Sequence, residues 1–364
     1  MNVPKLRFKE FNDEYINLKY KDVLKIKSGR DQRQVECESG IYPILGTGGQ
    51  IGKTNSFLYD KPSVLIGRKG TINKPQYMET PFWTVDTLFY SHIYEPNIPK
   101  YLFYSFQNVN WKKYDESTGV PSLSSSTIES VECNIPSKEE QLKVADFLSL
   151  LDKKIELQSK KIEDLKLFKK GLNKNIFSNL NNKFKIGDLI IEYNKKTSTN
   201  NQYKVLSSTA NGIILQNEYF NKQAASSDNS GYKIVPRGFI TYRSMSDTGE
   251  FHFNIQNIIE IGIVSPAYPV FTINENIVNK DYFVYYINEN KSFKNKILSS
   301  KEGGTRYALS ISKFRDIKLD LPSLKHQKEY SKLLMAYNQK IKQEQNKLDK
   351  LQELKKGLMQ NMFV

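Results

Sequence analysis

The pattern of apolar and polar positions changes along the chain. Residues 135–180 and 321–364 are rich in Lys, Glu, Leu and Gln and carry apolar residues at heptad spacing, which is typical of long helices that pair. In residues 1–134 and 181–320, extended apolar runs (82–90 and 263–271) precede aromatic, helix-like stretches (101–106 and 282–287). The pattern predicts a chain built as globule, helix, globule, helix.

The two helical stretches are copies of one another. Residues 135–177 align without a gap with residues 321–363, which lie 186 positions later, and about 14 of the 43 pairs are identical. The identical pairs include Pro-Ser, a helix-start signal, and the run Lys-Lys-Gly-Leu near the end. Because chance similarity rarely keeps an ungapped register over this length, the repeat indicates duplication of one globule-and-helix unit.

Apolar residues fall at the a and d positions of a heptad in both helices. The predicted packing positions are Leu148, Leu151, Ile155, Ile162 and Leu165 in the first helix and Leu334, Ile341, Leu348, Leu351 and Leu358 in the second. Polar residues interrupt both seams at matching points, Gln158 with Glu344 and Lys169 with Lys355. Matched interruptions favour two helices of one chain that pack on each other in a specified register. A solvated charged helix in an unrelated role is the alternative.

The charge balance favours a polyanionic partner. The chain has 54 Lys and Arg against 39 Asp and Glu, a net charge of +15, which points to nucleic acid before an anionic membrane. Residues 1–134 carry 17 basic and 15 acidic side chains, so a DNA-binding face in that globule must be a local patch.

Cysteine, histidine and hydropathy patterns exclude several classes of protein. The two cysteines form no CxxC motif and the three histidines lie far apart, so neither a disulfide framework nor a zinc site is predicted. No apolar run approaches the roughly 18 residues of a membrane span, and the first 15 residues lack the apolar core of a signal peptide. We expect a cytoplasmic protein without a membrane partner.

No catalytic motif is convincing. Residues 46–54 (GTGGQIGKT) resemble a phosphate-binding loop, but five residues separate Gly46 from Gly52 where that motif requires four, and no helix follows. The chain has no Asn-Pro-Pro-aromatic or Asp-Pro-Pro-aromatic tetrapeptide that would hold a flipped base in a methyltransferase. The nuclease-like Glu353-Leu354-Lys355 lies on a predicted helix and is better explained as a solvated face. We therefore predict binding without catalysis, and neither a cofactor nor a metal on this chain.

Candidate DNA contacts lie at the ends of apolar runs. Arg68 follows residues 64–67 and Arg243 follows residues 239–242, so the two arginines are matched in placement between the globules. Arginine discriminates guanine through hydrogen bonds to O6 and N7. The loops 117–122 and 303–307 offer a second contact region before each helix. The predicted DNA-binding residues are Arg68, Lys69, Thr47, Lys53, Lys74 and Ser122 in the first globule and Arg243, Ser244, Arg306 and Tyr307 in the second. For each of them, an ordinary surface residue is the alternative.

Over its whole length the chain resembles the specificity (S) subunits of type I restriction-modification systems. The resemblance is carried by residues 41–49 (IYPILGTGG), 62–72 (PSVLIGRKGTI), 81–87 (PFWTVDT) and the helix entry 135–141. The second globule departs from the pattern, because residues 238–246 (GFITYRSMS) keep the apolar strand and the arginine but lack the Lys-Gly that follows.

The resemblance implies that each globule reads one half of a bipartite DNA site and that the helices pack as an antiparallel coiled-coil spacer. It also implies two methyltransferase subunits as partners, which would bind S-adenosylmethionine. Restriction subunits that translocate DNA with ATP and magnesium could join the complex.

The sequence therefore predicts an α/β (α+β) protein with a pseudo-twofold tandem repeat. The expected domains are target-recognition domain 1 (residues 1–134), a spacer helix (135–180), target-recognition domain 2 (181–320) and a C-terminal spacer helix (321–364). The alternative function is a structural adaptor whose coiled coil joins two protein-binding domains, and a fused restriction enzyme comes third. A salt-sensitive, sequence-specific DNA complex formed with a methyltransferase would separate the first hypothesis from both.

Overall fold

The computed structural model describes residues 3–178, 182–216, 228–299 and 307–364. The chain forms two compact units, each of which contains one globule and part of both long helices. Unit 1 comprises Met1–Lys161 and Glu344–Val364, and unit 2 comprises Ile162–Gln343. The four domain limits expected from the sequence separate helices from globules instead, and they stay a prediction.

The strands of unit 1 are β1 (Ile16–Lys19), β2 (Leu24–Ser28), β3 (Tyr42–Gly46), β4 (Gly49–Thr54), β5 (Ser63–Gly67), β6 (Gln76–Met78), β7 (Trp83–Thr84), β8 (Leu88–Ile93) and β9 (Glu132–Ile135). Four of them form an antiparallel sheet in the order β2-β8-β5-β6. A second sheet has the order β4-β3-β7, and β1 pairs with β9. The helices of unit 1 are α1 (Tyr20–Val23), α2 (Pro99–Asn108), α3 (Ser125–Ser130) and the first part of α4 (Lys138–Ile176), with a 3-10 turn at Trp111–Tyr114.

Unit 2 repeats this frame. Its strands are β10 (Lys183–Lys185), β11 (Ile190–Glu192), β12 (Leu206–Thr209), β13 (Gly212–Leu215), β14 (Lys233–Pro236), β15 (Ile240–Thr241), β16 (Met245–Ser246), β17 (Asn254–Ile255), β18 (Ile261–Val264), β19 (Val270–Ile273), β20 (Tyr307–Ala308) and β21 (Lys318–Asp320). Its four-stranded sheet has the order β11-β19-β15-β17, which corresponds to β2-β8-β5-β6 of unit 1. The helices of unit 2 are α5 (Ile186–Leu189), α6 (Lys280–Glu289), α7 (Lys291–Ser299), α8 (Ile311–Asp316) and the first part of α9 (Leu324–Met362).

The long helices confirm the repeat residue by residue. Both α4 and α9 have 39 residues, and they begin and end at equivalent positions, 186 residues apart. A glutamine fixes each helix start in the same way: Gln141 accepts from the backbone N–H of Ile98, and Gln327 accepts from that of Asn279. Each glutamine also donates to the carbonyl of the proline that precedes its helix.

Each globule's core is closed by ends of both helices. In unit 1, Val144 and Leu148 of α4 join Met359 and Met362 of α9 and Phe363 beside it, against the aromatic side chains of α2. In unit 2, Leu334 of α9 and Ile176 of α4 are buried in the equivalent core. Burying these apolar faces supplies stability that the propensity of the charged helices alone would not.

The two helices pair antiparallel within each unit, as the resemblance implied. In unit 1, Asp152 contacts Lys355 and Gln158 contacts Glu344, so the numbering rises along one helix as it falls along the other. In unit 2, the ring of Phe168 stacks on that of Tyr337 with centroids 5.2 Å apart. Of the predicted packing residues, five are buried and five half-buried: Leu148, Leu151, Ile162, Leu334 and Leu348, and then Ile155, Leu165, Ile341, Leu351 and Leu358.

The interruption at Gln158 and Glu344 is a polar pair. Glu344 is fully buried, and its carboxylate accepts from Gln158 Nε2 at 2.8 Å. The ammonium groups of Lys161 and Lys347 lie 3.2 and 3.3 Å from its other oxygen. A buried carboxylate is costly unless it is paired in this way, and such pairs fix the register of coiled coils.

We expect the equivalent substitutions Leu148→Ala and Leu334→Ala to destabilise different units. Each leucine is fully buried, so each truncation should cost about 2–5 kcal/mol. Hydrogen exchange followed by mass spectrometry should show the loss of protection first in unit 1 for Leu148→Ala and in unit 2 for Leu334→Ala. Leu150→Ala, at an exposed position of α4, is the control. Equal loss in both units for each variant would contradict this division of the core.

Candidate nucleic-acid interface

Arg68 and Lys69 of unit 1 are held by backbone hydrogen bonds where β5 ends. Their N–H groups donate to the carbonyl of Thr87, and the carbonyl of Arg68 accepts from Leu123 N–H. Lys69 also forms a β-bridge with Ser122. The backbone is therefore fixed on both sides, while the Arg68 and Lys69 side chains are exposed to solvent.

The glycines on either side explain the sequence Gly-Arg-Lys-Gly. A Cβ atom at Gly67 would lie 2.3 Å from the carbonyl oxygen of Thr71, so no side chain fits there. Gly70 has a φ of +93°, which glycine adopts at little cost. A Cβ atom there would lie 3.8 Å from Thr47 Oγ1, which places the β3–β4 turn beside this loop.

Four of the six residues predicted in unit 1 therefore come together: Thr47, Arg68, Lys69 and Ser122 form what we call the Arg68 patch. Lys53 on β4 and Lys74 after β5 are exposed, and no described contact joins them to this patch.

Asp115 orders the neighbouring loop by accepting from the N–H groups of Ser117 and Ser122. These hydrogen bonds hold the pKa of Asp115 below its usual range.

Arg30 is a further candidate that sequence reasoning missed. It follows β2, is exposed, and lies next to β7, where its carbonyl accepts from Trp83 Nε1 and its N–H donates to Thr84. The strand-end criterion that selected Arg68 would also have selected it. Arg33 differs, because its guanidinium pairs with Asp31 and lowers the pKa of that carboxyl to about 2.

In unit 2, the structure corrects the alignment of Arg243 with Arg68. The N–H of Ser244 donates to Ala267, and its carbonyl accepts from Leu309, as those of Arg68 do with Thr87 and Leu123. Ser244 is therefore the equivalent of Arg68, and Arg243 is the equivalent of Gly67. The two arginines therefore occupy neighbouring, not equivalent, positions of the repeated frame.

Arg243 lines a cavity of about 280 Å³ in unit 2 that also contains Gln216, Tyr232 and Tyr268. At the equivalent place in unit 1, the backbone of Thr71 fills the space beside Gly67. Burial raises the pKa of Tyr268, and the charge of Arg243 opposes that shift, so the two side chains lie close together. Among the residues that the structure describes, Arg243 forms no ion pair.

Two lysines lie side by side near this cavity. Lys196 and Lys233 form a β-bridge, and Lys233 follows the cavity residue Tyr232. Burial and the charge of Lys196 both lower the pKa of Lys233. Neighbouring cations of this kind are expected where a protein contacts phosphates.

The remaining predicted residues of unit 2 lie in different settings. Ser244 is half-buried, and its hydroxyl donates to the carbonyl of Ala267. Tyr307 is half-buried on β20, which pairs with β16 beside Arg243. Arg306 lies outside the described residues. Across the described ranges, no group of three or more His, Cys, Asp or Glu side chains could hold a metal ion, and no helix is long and apolar enough to cross a membrane.

Residues 12–167 and 179–353 each match the family model of the type I restriction modification DNA specificity domain. The chain belongs to this family. The two matched segments coincide with the two repeats, and the family is that of the DNA specificity subunit, which is not catalytic. The family expected from the sequence and its role in DNA specificity are confirmed, and the adaptor alternative is not favoured.

Solved structures show the same fold for this specificity subunit. The S subunit of a type I restriction-modification system from M. genitalium superposes with a TM-score of 0.67 and 16% identity, over 100% of this chain and 99% of that one. A chain from a type I R-M system solved to explain complex assembly and conformational transition gives a TM-score of 0.51 and 11% identity, over 95% and 96%. The mixed α/β tandem fold is thereby confirmed.

We expect Arg68→Ala to weaken recognition of only one part of the DNA site. If Arg68 contacts guanine through two hydrogen bonds, the loss should be about 1–3 kcal/mol. Competition binding with duplexes altered at single positions would measure it, with Arg33→Ala as the control because that guanidinium is already paired. Equal weakening on every sequence would instead make Arg68 a phosphate contact.

Replacing Lys233 with methionine should stabilise the free protein and weaken its DNA complex. A lowered lysine pKa means that the folded state holds this proton less tightly than the unfolded state, so the charge destabilises the fold near neutral pH and less as pH rises towards 10. We expect a gain below about 1 kcal/mol, because the site is screened by solvent. The slope of log affinity against log salt concentration should become shallower by about one, as for the loss of one phosphate contact.

Thermal melting without DNA and a salt titration with DNA would measure both effects. Lys342→Met removes an exposed charge elsewhere in unit 2 and should change neither quantity to this degree. A lower melting temperature for Lys233→Met would contradict the account of this lysine.

Proposed function

We propose that this specificity subunit reads a bipartite DNA site, with one half recognised by each unit and the gap set by the long helices. The observation that carries the proposal is the duplicated frame. Two globules with the same strand order and helix entries present different side chains at the same strand end, Arg68 in one and Ser244 beside Arg243 in the other. Such a pair is suited to reading two different sequences.

The chemistry of the two surfaces supports DNA as the ligand. Arg68, Arg30 and Arg243 are exposed guanidinium groups on rigid strand ends, where they can reach base edges in the major groove. Lys69, Lys196 and Lys233 supply positive charge for phosphates, which gives affinity and salt dependence without sequence preference. The chain would thus contribute specificity to a complex that carries out the reaction.

We further propose two methyltransferase subunits as partners, bound through the helix pair. S-adenosylmethionine would be held by these subunits, and ATP with magnesium by any restriction subunit that joins them. The solved type I R-M system that the chain resembles was described for its complex assembly, which agrees with this arrangement. Because the substrate is DNA, we place the complex in the cytoplasm.

The partner proposal is tested by reconstitution. The purified chain should bind DNA but transfer no methyl group, and methylation of one bipartite sequence should appear only when methyltransferase subunits and S-adenosylmethionine are added. Methyl transfer by the chain alone would contradict the proposal. So would sequence-specific methylation by the methyltransferase without it.

Lengthening both helices should widen the gap between the half-sites. Four residues add about 6 Å to a helix, and base pairs stack at about 3.4 Å, so the gap should grow by one or two base pairs. Because the helices are antiparallel, the insertions belong at equivalent points, after Lys160 and after Asn346. Four residues are not a heptad, so some packing will be lost.

A methylation map of the lengthened variant, with its partners, would measure the gap. Both half-site sequences should be kept. An unchanged gap, or altered half-site bases, would show that the helices do not set the spacing.

A further inference from the structure

A lysine interrupts the apolar seam of each long helix at the same repeat position. Lys355 on α9 belongs to unit 1 and Lys169 on α4 belongs to unit 2. Their side chains are only 19% and 18% exposed. A largely buried ammonium group is unfavourable unless specific partners compensate for the lost water. The partners of these two lysines should therefore explain why an apolar seam contains a lysine at this position.

In unit 1, Lys355 joins three helices. Its Nζ lies 2.6 Å from Asp152 Oδ1 of α4 and 3.4 Å from Gln107 Oε1 of α2, and it lies 5.4 Å from the ring centroid of Tyr104. The hydroxyl of Tyr104 donates to the other oxygen of Asp152 at 2.8 Å. Burial raises the pKa of Tyr104, which keeps this donor protonated. One carboxylate on the helix pair thus receives hydrogen bonds from α9 and from the globule.

We call the contacts of each lysine between the helix pair and the globule a joint. In unit 2, the joint at Lys169 uses a different carboxylate. Lys169 Nζ lies 3.7 Å from Glu289 Oε2 and 5.3 Å from the ring centroid of Tyr285. The hydroxyl of Tyr285 donates to Asn173 Oδ1 at 3.0 Å. The repeat equivalent of Asp152 is the uncharged Asn338. The carboxylate that pairs with the lysine therefore lies on α6 of the globule in unit 2, and on the helix pair in unit 1. Glu289 is 42% exposed, and a longer, more exposed ion pair is weaker.

In each unit, the globule helix that the lysine contacts packs against the strand that precedes the candidate DNA-contacting residue. In unit 1, Leu102 and Phe106 of α2 pack in one core with Val64 and Ile66 of β5, and the Arg68 patch begins where β5 ends. Because α2 and β5 share this core, we expect a change in the angle of α2 on the helix pair to displace the Arg68 patch.

Unit 2 has the same succession of contacts. Tyr282 and Phe283 of α6 share a core with Ile240 of β15 and with Tyr242, which immediately precedes Arg243. The helix that each lysine contacts therefore supports the strand that carries the candidate reading residue.

We infer that Lys355 and Lys169 are positioning residues that hold each reading globule at one angle on the helix pair and so narrow the range of half-site gaps that the protein accepts. They do so more firmly in unit 1 than in unit 2. The inference rests on the proposed bipartite readout, because it concerns the gap between the half-sites.

The test compares Lys355→Met and Lys169→Met in the full-length chain. Methionine keeps an unbranched apolar stem and removes the ammonium group. Affinities are measured for duplexes that carry the wild-type site with its natural gap and with the gap one base pair shorter or longer. For Lys355→Met, we expect the preference for the natural gap to fall roughly five- to tenfold, as for the net loss of one intramolecular hydrogen bond. The base preference within each half should be unchanged.

Lys169→Met should reduce the gap preference less than Lys355→Met does. Lys356→Met removes the same charge from the next, exposed position and should leave the gap preference intact. Lys355→Arg should largely restore it. Should Lys355→Met fail to fold, Tyr104→Phe removes only the hydroxyl that donates to Asp152 and should relax the preference in the same direction.

The outcomes separate this inference from the proposed function. If the wild-type protein shows no gap preference, the bipartite readout fails and the inference fails with it. If the wild type discriminates gaps and folded Lys355→Met does so equally well, the function stands and the positioning role is wrong. A change in preferred bases without a change in gap would also overturn it, because the lysine would then act on the reading surface itself.

Discussion

The apolar ends of the two long helices are the constraint on which the rest of the structure depends. Met362 and Phe363 of the second repeat complete the core of unit 1, and Ile176 of the first repeat completes that of unit 2. Neither globule therefore buries its core with its own repeat alone. Both α4 and α9 are continuous helices of 39 residues, each about 58 Å long, and each contributes side chains to both cores.

This arrangement separates the parts of the chain that can vary from those that cannot. The glutamine at each helix start, the strand order and the antiparallel pairing recur in both units, since each maintains a core that the other repeat helps to build. The side chains at the strand ends are free of that requirement. Where unit 1 has Gly67 packed against the Thr71 backbone, unit 2 has Arg243 beside an open cavity. Different base preferences in one frame are the expected result.

The helices were predictable from sequence because their signal is local. Heptad spacing and an ungapped repeat indicated both helices, and the repeat placed their ends at equivalent residues. Sheet register is not local, and for this reason the sequence matched Arg243 to Arg68. The hydrogen bonds of Ser244 show instead that Arg243 is the equivalent of Gly67. The same applies to Lys169 and Lys355: the sequence marked them as interruptions, but only the folded chain brings Asp152, Tyr104 and Glu289 to them.

The candidate site was predictable in part. Arg68, Lys69, Thr47 and Ser122 converge as one patch, because glycines allow the β5 loop to approach the β3–β4 turn. Lys53 and Lys74 do not join it, and Arg30 and Lys233 were missed. The lowered pKa of Lys233 depends on burial and on the nearby charge of Lys196, and the sequence alone shows neither of them.

Selection of DNA from a random duplex library by the full-length protein tests the central claim most directly. The account predicts that the selected molecules share two short motifs of different sequence, separated by a gap of fixed length whose bases are random. A single uninterrupted motif, two motifs at variable distance, or no enrichment over the starting library would contradict it.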